Sequence, residues 1–90
     1  MEYQKFLFVF RDGGLYDMNA VSFKDALLET AKYTGVSNNL FSKAIKGFAK
    51  DDIVEMIMLF NHFASNMNNE ITEVFKIEDL IFDSTRDKIY

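Results

Sequence analysis

The spacing of apolar positions along this chain changes several times, and each change marks an element. From Tyr3 to Arg11 the residues alternate as in a β-strand. Phe6, Phe8 and Phe10 fall on one side and Leu7 and Val9 on the other. A strand apolar on both sides is expected at the centre of a sheet. Asp12-Gly13-Gly14 predicts a hairpin turn, with glycine supplying the positive φ of a primed turn. The return strand, Leu15 to Val21, sets Tyr16, Met18 and Ala20 against Asp17 and Asn19, so it reads as half-solvated.

The period then lengthens. Ser22-Phe23-Lys24-Asp25 opens a helix, with Ser22 as the cap and Asp25 at the positive N-terminal end. Phe23, Ala26, Leu27, Thr30, Ala31 and Thr34 form its apolar stripe. Gly35 stops it, and Val36 supplies the usual apolar contact beyond the stop. A second helix is expected from Asn38 or Asn39, with Leu40, Phe41, Ala44, Ile45 and Phe48 on its apolar side. Gly47 either weakens its last turn or ends it. Asp52-Ile53-Val54-Glu55 has the spacing of a capping box and opens a third helix reaching about Met67. Asn66 to Asn69 is the expected exit, since asparagine tolerates left-handed backbone. Thr72 to Ile77 predicts a strand. Leu80 to Phe82 either continues it past a kink or forms a turn, and the residues from Asp83 onward are expected to fray.

The expected architecture is therefore α+β, in the order β-β-α-α-α-β: a three-stranded, mainly antiparallel sheet with the helices on one face and the last strand beside the first. Ninety residues make a single domain, 1–90. The opening Met1 to Phe6 does not read as a signal peptide, and no apolar run approaches the ~18 residues of a membrane span. The expected compartment is the cytoplasm.

Composition narrows the chemistry. The chain has no cysteine, no tryptophan, no proline and one histidine, His62. Thiol nucleophiles, disulfides and soft metal sites are thereby excluded. No Gly-x-Ser-x-Gly setting exists for a serine nucleophile. His62 falls opposite the apolar arc of the third helix, near Glu55, where a solvated histidine is the plainer reading than a general base. Asp51, Asp52 and Glu55 cluster at a helix start, but without calcium-loop spacing, and acids are expected there from the helix dipole alone. Arg11-Asp12-Gly13-Gly14 leads into a strand and lacks the ending of a phosphate loop. The expectation is no enzyme, no cofactor and no metal.

Charge bears on partners. The net charge is −4, which argues against general affinity for nucleic acid or anionic lipid. Lys43, Lys46 and Lys50 share a helical stripe only if the second helix runs through Gly47; without interleaved arginine or aromatics a solvated face is the plainer reading. Glu70, Glu73, Glu78, Asp79 and Asp83 concentrate acid near the closing strand, with Lys76 the only base among them. They form either a solvated edge or a surface presented to a basic partner.

Two apolar surpluses remain. On the third helix Ile53, Met56, Ile57, Leu59, Phe60, Phe63, Ala64 and Met67 make one broad arc, and Val54 and Met58 fall outside it as a second short stripe. Either a neighbouring helix covers that stripe or it serves recognition. On the first strand Leu7 and Val9, with Tyr3, look away from the helical layer. That face must meet something, stay partly wet or be shielded by the C-terminal segment, and a homodimer across it is the economical solution. The candidate partner-binding residues are thus Leu7, Val9, Val54, Met58, Glu73, Glu78, Asp79 and Asp83.

The run Lys5 to Gly14 (KFLFVFRDGG), then Ser22 to Leu27 (SFKDAL), and the closing run Glu73 to Asp83 (EVFKIEDLIFD) together resemble small acidic proteins of phages and mobile elements, anti-CRISPR proteins among them. The resemblance implies a binder that blocks a host defence protein or nucleoprotein without catalysis, and it carries over no functional residue. The alternative is a homo-oligomeric structural or accessory protein.

Overall fold

The computed structural model describes residues 2–36, 39–64, 67–78 and 81–90. Strand β1 (Gln4–Phe10) is the middle of a three-stranded antiparallel sheet, flanked by β2 (Leu15–Ala20) and by the last strand, β3 (Ile71–Ile77). Helices α1 (Phe23–Thr34), α2 (Asn39–Lys46) and α3 (Ile53–Phe63) lie between β2 and β3 in the chain, giving the order β-β-α-α-α-β. α1 lies against β2, and α3 lies against α1, α2 and β3.

Phe6, Phe8 and Phe10 point into the helical layer and are buried, while Leu7 and Val9 alternate to the other face and remain half-buried. Phe23 of α1 meets both Phe6 and Phe8, with ring centroids 5.9 and 6.0 Å apart. Leu27, Phe41, Ile45, Met56, Ile57 and Phe60 fill the layer above them. The polar exception, Thr30, is buried on α1 and donates its hydroxyl to the Ala26 carbonyl, so no polar atom is left without a partner there.

The hairpin differs from the primed turn expected. Phe10 N donates to Gly14 O and Gly13 N donates to Phe10 O, with φ +87° at Gly13. This is a three-residue loop closed by one left-handed glycine, and the Asp12 carboxylate accepts from Gly14 N inside it. α1 keeps its sequence-expected ends: Ser22 Oγ accepts from Asp25 N, and Gly35 takes φ +79°. Val36 is buried, as its position after the stop requires.

The middle of the chain departs further. α2 ends at Lys46 before Gly47, so Lys50 leaves the stripe of Lys43 and Lys46. Phe41 and Ile45, four residues apart, set its buried direction; Leu40 lies about 100° round the helix and is 69% exposed, and Ala44 is exposed as well. Asp52 does not cap α3 with its side chain. Its carboxylate accepts instead from Ala49 N, closing the turn before the helix. α3 stops at Phe63, short of Met67, because Ala64 turns to extended backbone; Met67–Asn69 then form one 3-10 turn. Asn66 of the expected exit lies outside the described residues.

β3 starts one residue earlier than its alternation suggests. The register jumps from Val9↔Glu73 to Phe10↔Ile71, so Thr72 is an extra residue bulged from the ladder. The Asn61 side chain of α3 fixes this end: Nδ2 donates to Ile71 O at 3.1 Å, and Ile71 N donates to Oδ1 at 2.8 Å.

The terminal residues do not fray. Lys76 N donates to Asp87 O at 2.8 Å, Val74 N to Tyr90 O at 3.2 Å, and Ile89 N to Val74 O at 2.9 Å. The tail thus lies along the outer edge of β3, with Ile89 and Tyr90 against the core.

Phe8→Ala should cost about 3–5 kcal/mol, most of the stability of about 5–10 kcal/mol expected for such a domain. A melting temperature near that of the parent would contradict its place beneath α1. Asn61→Ala strands both backbone groups of Ile71 and should cost about 2–3 kcal/mol; chemical denaturation that shows less than ~0.5 kcal/mol would mean that water replaces the amide freely.

Candidate interaction surfaces

Topology and side-chain length decide which apolar residues stay outside. The helices occupy one face of the sheet. The other carries Leu7 and Val9 at its centre, flanked by Leu15, Asp17 and Asn19 of β2 and by Glu73, Phe75 and Ile77 of β3. Phe82 turns back onto Phe75 with ring centroids 5.2 Å apart, so part of this face is covered by the chain itself. Ile81 beside it is exposed. Asp17 and Lys5 pair at 3.4 Å on the same face, each half-exposed.

α3 presents the second surface. Val54 is 48% exposed and Met58 62% exposed, so no neighbouring helix covers the stripe. At about 100° per residue Asn61 belongs to the same flank. Because Asn61 reaches Ile71, that flank faces the β3 side of the domain. Val54 and Met58 therefore look out on the side away from α2, whose Phe41 meets Phe60 and Phe63 on the opposite flank.

The acidic closing segment is more compensated than its sequence suggests. Glu73 pairs with Lys88 at 3.3 Å, Glu78 with Lys76 at 3.4 Å, and Glu70 with Arg11 at 3.0 Å. Asp83 is engaged in a turn, accepting from Thr85 N at 2.9 Å and Arg86 N at 3.1 Å. The backbone N–H of Arg86, then that of Thr85, holds its carboxyl below the ordinary 3.8. Asp87, which the sequence pattern did not single out, is the buried acid of the tail. Its Oδ1 receives Arg86 Nε at 3.0 Å and its Oδ2 receives Asp83 N at 3.1 Å, so its carboxyl also lies below the ordinary 3.8. Asp79 lies outside the described residues. Arg11 and Lys88 were the missing signal: one lies far ahead of the acids and the other after them, and each reaches its acid only through the fold.

Among the described residues no group of three or more histidine or acidic side chains is placed to hold a metal ion. His62 is exposed and rests edge-on against Phe63 at 5.4 Å. No helix is long and apolar enough to cross a membrane among the described residues. No family model matches the chain, and no curated protein or solved structure matches it significantly.

The two depressed carboxyls give the tail a pH dependence of definite sign. Their contribution is complete above the ordinary carboxylate range and is lost as pH falls through their lowered folded values. Amide exchange at Lys76 and Ile89, whose N–H groups tie β3 and the tail together, should accelerate more as pH falls below the ordinary carboxylate value of 3.8 than exchange in β1. Equal acceleration throughout the sheet would show that the carboxylates do not hold the tail.

Proposed function

We propose that this domain is a non-catalytic protein-binding module, of the kind that blocks a host defence protein or nucleoprotein complex from inside the host cell. The observation that carries the binding role is the pair of apolar surfaces left open by a single helical layer: Leu7 and Val9 on the uncovered sheet face, and Val54 and Met58 on α3. Methionine at the surface suits adaptable contacts, and a flat apolar centre with charged margins is the usual build of a protein interface. The inhibitory role and the phage setting are supported by the resemblance to small acidic phage proteins. The paired acids of the closing segment belong to the rim, where charge acts on the rate of encounter with a basic partner more than on affinity.

The second reading, self-association through the sheet face, is favoured by the same Leu7 and Val9. Leu7→Lys and Met58→Glu separate the two. Both positions are outside the core, so both variants should stay folded, within about 1 kcal/mol of the parent. Affinity capture from a bacterial lysate with the parent chain, repeated with each variant, should lose the same specific protein in at least one of them, while light scattering shows a monomer throughout. A parent dimer that Leu7→Lys converts to monomer, with no partner captured, would leave the oligomeric reading in place of the inhibitory one.

A further inference from the structure

The sheet has two outer edges, and only one is closed. The tail bonds to Val74 and Lys76 along β3, whereas among the described residues the outer edge of β2 has no backbone partner. The hairpin fixes which groups point outward there. Phe10 bonds to Gly14, so bonded and non-bonded pairs alternate from that point along the ladder. Tyr16, Met18 and Ala20 therefore bond to β1, and the N–H and C=O groups of Leu15, Asp17 and Asn19 face away from it.

A row of alternating donors and acceptors along an edge is matched by extended backbone and by little else. A second copy is one supplier, but each copy brings its own α1 to the joint. Thr30 of α1 reaches Met18 of β2, hydroxyl to sulfur 3.9 Å, while Phe23 of the same helix meets Phe6 and Phe8 of β1, so α1 spans both strands. Pairing β2 with β2 of another copy about 4.8 Å away would place two α1 helices on the same face of the joined sheet, where packed helices need about 8–10 Å. A single extended segment with no helix above it fits.

We infer that β2 is a strand-addition site for an extended, basic segment of a partner protein. The groove it enters has a floor of outward β2 backbone and a wall on the α1 side. There Tyr33, 65% exposed, stacks on Tyr16 with ring centroids 4.1 Å apart. Segment residues on the helix side meet this aromatic pair; residues on the other side meet Asp17 and Asn19. Among the described residues Asp17 has the half-exposed Lys5 as its counter-charge, a surface pairing weak enough to be shared or exchanged. At the hairpin end lies a cleft of about 320 Å³ lined by Phe10, Asp12, Leu15, Tyr33, Thr34 and Asn69. The preferred segment therefore alternates apolar or aromatic residues with basic ones. This inference rests on the protein-binding reading and names where and how the partner is held.

A random linear-peptide display library supplies the probe. Peptides selected on the intact domain should alternate apolar and basic residues. The tightest one should slow amide exchange at Leu15, Asp17 and Asn19 by about tenfold or more, and leave Tyr16, Met18 and Ala20, already bonded to β1, nearly unchanged. Asn19→Pro removes an outward donor at a position where an edge strand tolerates proline and should weaken the peptide about tenfold or more. If that variant does not fold, Asp17→Lys replaces it, and should weaken basic peptides by a similar factor without touching the backbone. The inference is overturned if no peptide is selected above background, if the selected peptide leaves the β2 amides unprotected, or if the folded variants bind it as the parent does. Peptides that bind but are lost with Leu7→Lys alone would overturn strand addition and leave the protein-binding role standing.

Discussion

Everything in this fold hangs on β1 being satisfied from three of its four directions. Its two backbone edges bond to β2 and β3, and its phenylalanine row is buried in the core cluster that residues of α1, α2 and α3 complete. The fourth direction, the Leu7 and Val9 face, is the one a chain of ninety residues has no second helical layer to cover. Burying that face needs a further apolar layer, and ordering the extra residues costs about 1–2 kcal/mol each. The chain instead covers Phe75 with Phe82 and leaves Leu7 and Val9 half-buried. The open surfaces are therefore a consequence of the central strand's composition, not an accident of the loops.

The parts legible in the sequence were those governed by local pattern. Alternating phenylalanines placed β1, and a Ser22 cap with a Gly35 stop bounded α1 to the residue. Where a choice depended on distant packing, local pattern misled. Leu40 and Phe41 are equally apolar, but only the direction set by Phe41 and Ile45 meets α3. Asp52 had the capping spacing, but the turn at Ala49 took its carboxylate first. The bulge at Thr72 is invisible in the sequence because Asn61, ten residues earlier, anchors the strand's start.

The candidate surfaces divide in the same way. Val54 and Met58 stood out because helical geometry sets them off the main arc, and burial then placed them in solvent. The acids of the closing segment looked unopposed because Arg11 and Lys88, which pair with Glu70 and Glu73, lie far from them in the chain. The residues from Asp83 onward were expected to fray, yet their hold comes from backbone bonds to β3 and from the Asp87 carboxylate. Neither leaves a signature in hydrophobic spacing. For the same reason the sequence could place β2 beside β1 but could not show that one edge of the sheet is closed and the other bare.

That closed edge has a consequence for assembly. A sheet with two open edges can repeat head to tail, the first edge of one copy on the last edge of the next. Such contacts do not close, so they propagate into filaments. Here the chain's own tail fills the receiving edge before a neighbour can. The tail is a chain terminator in the polymer sense. With that edge occupied, a head-to-tail series has no matching site on β3 from which to continue.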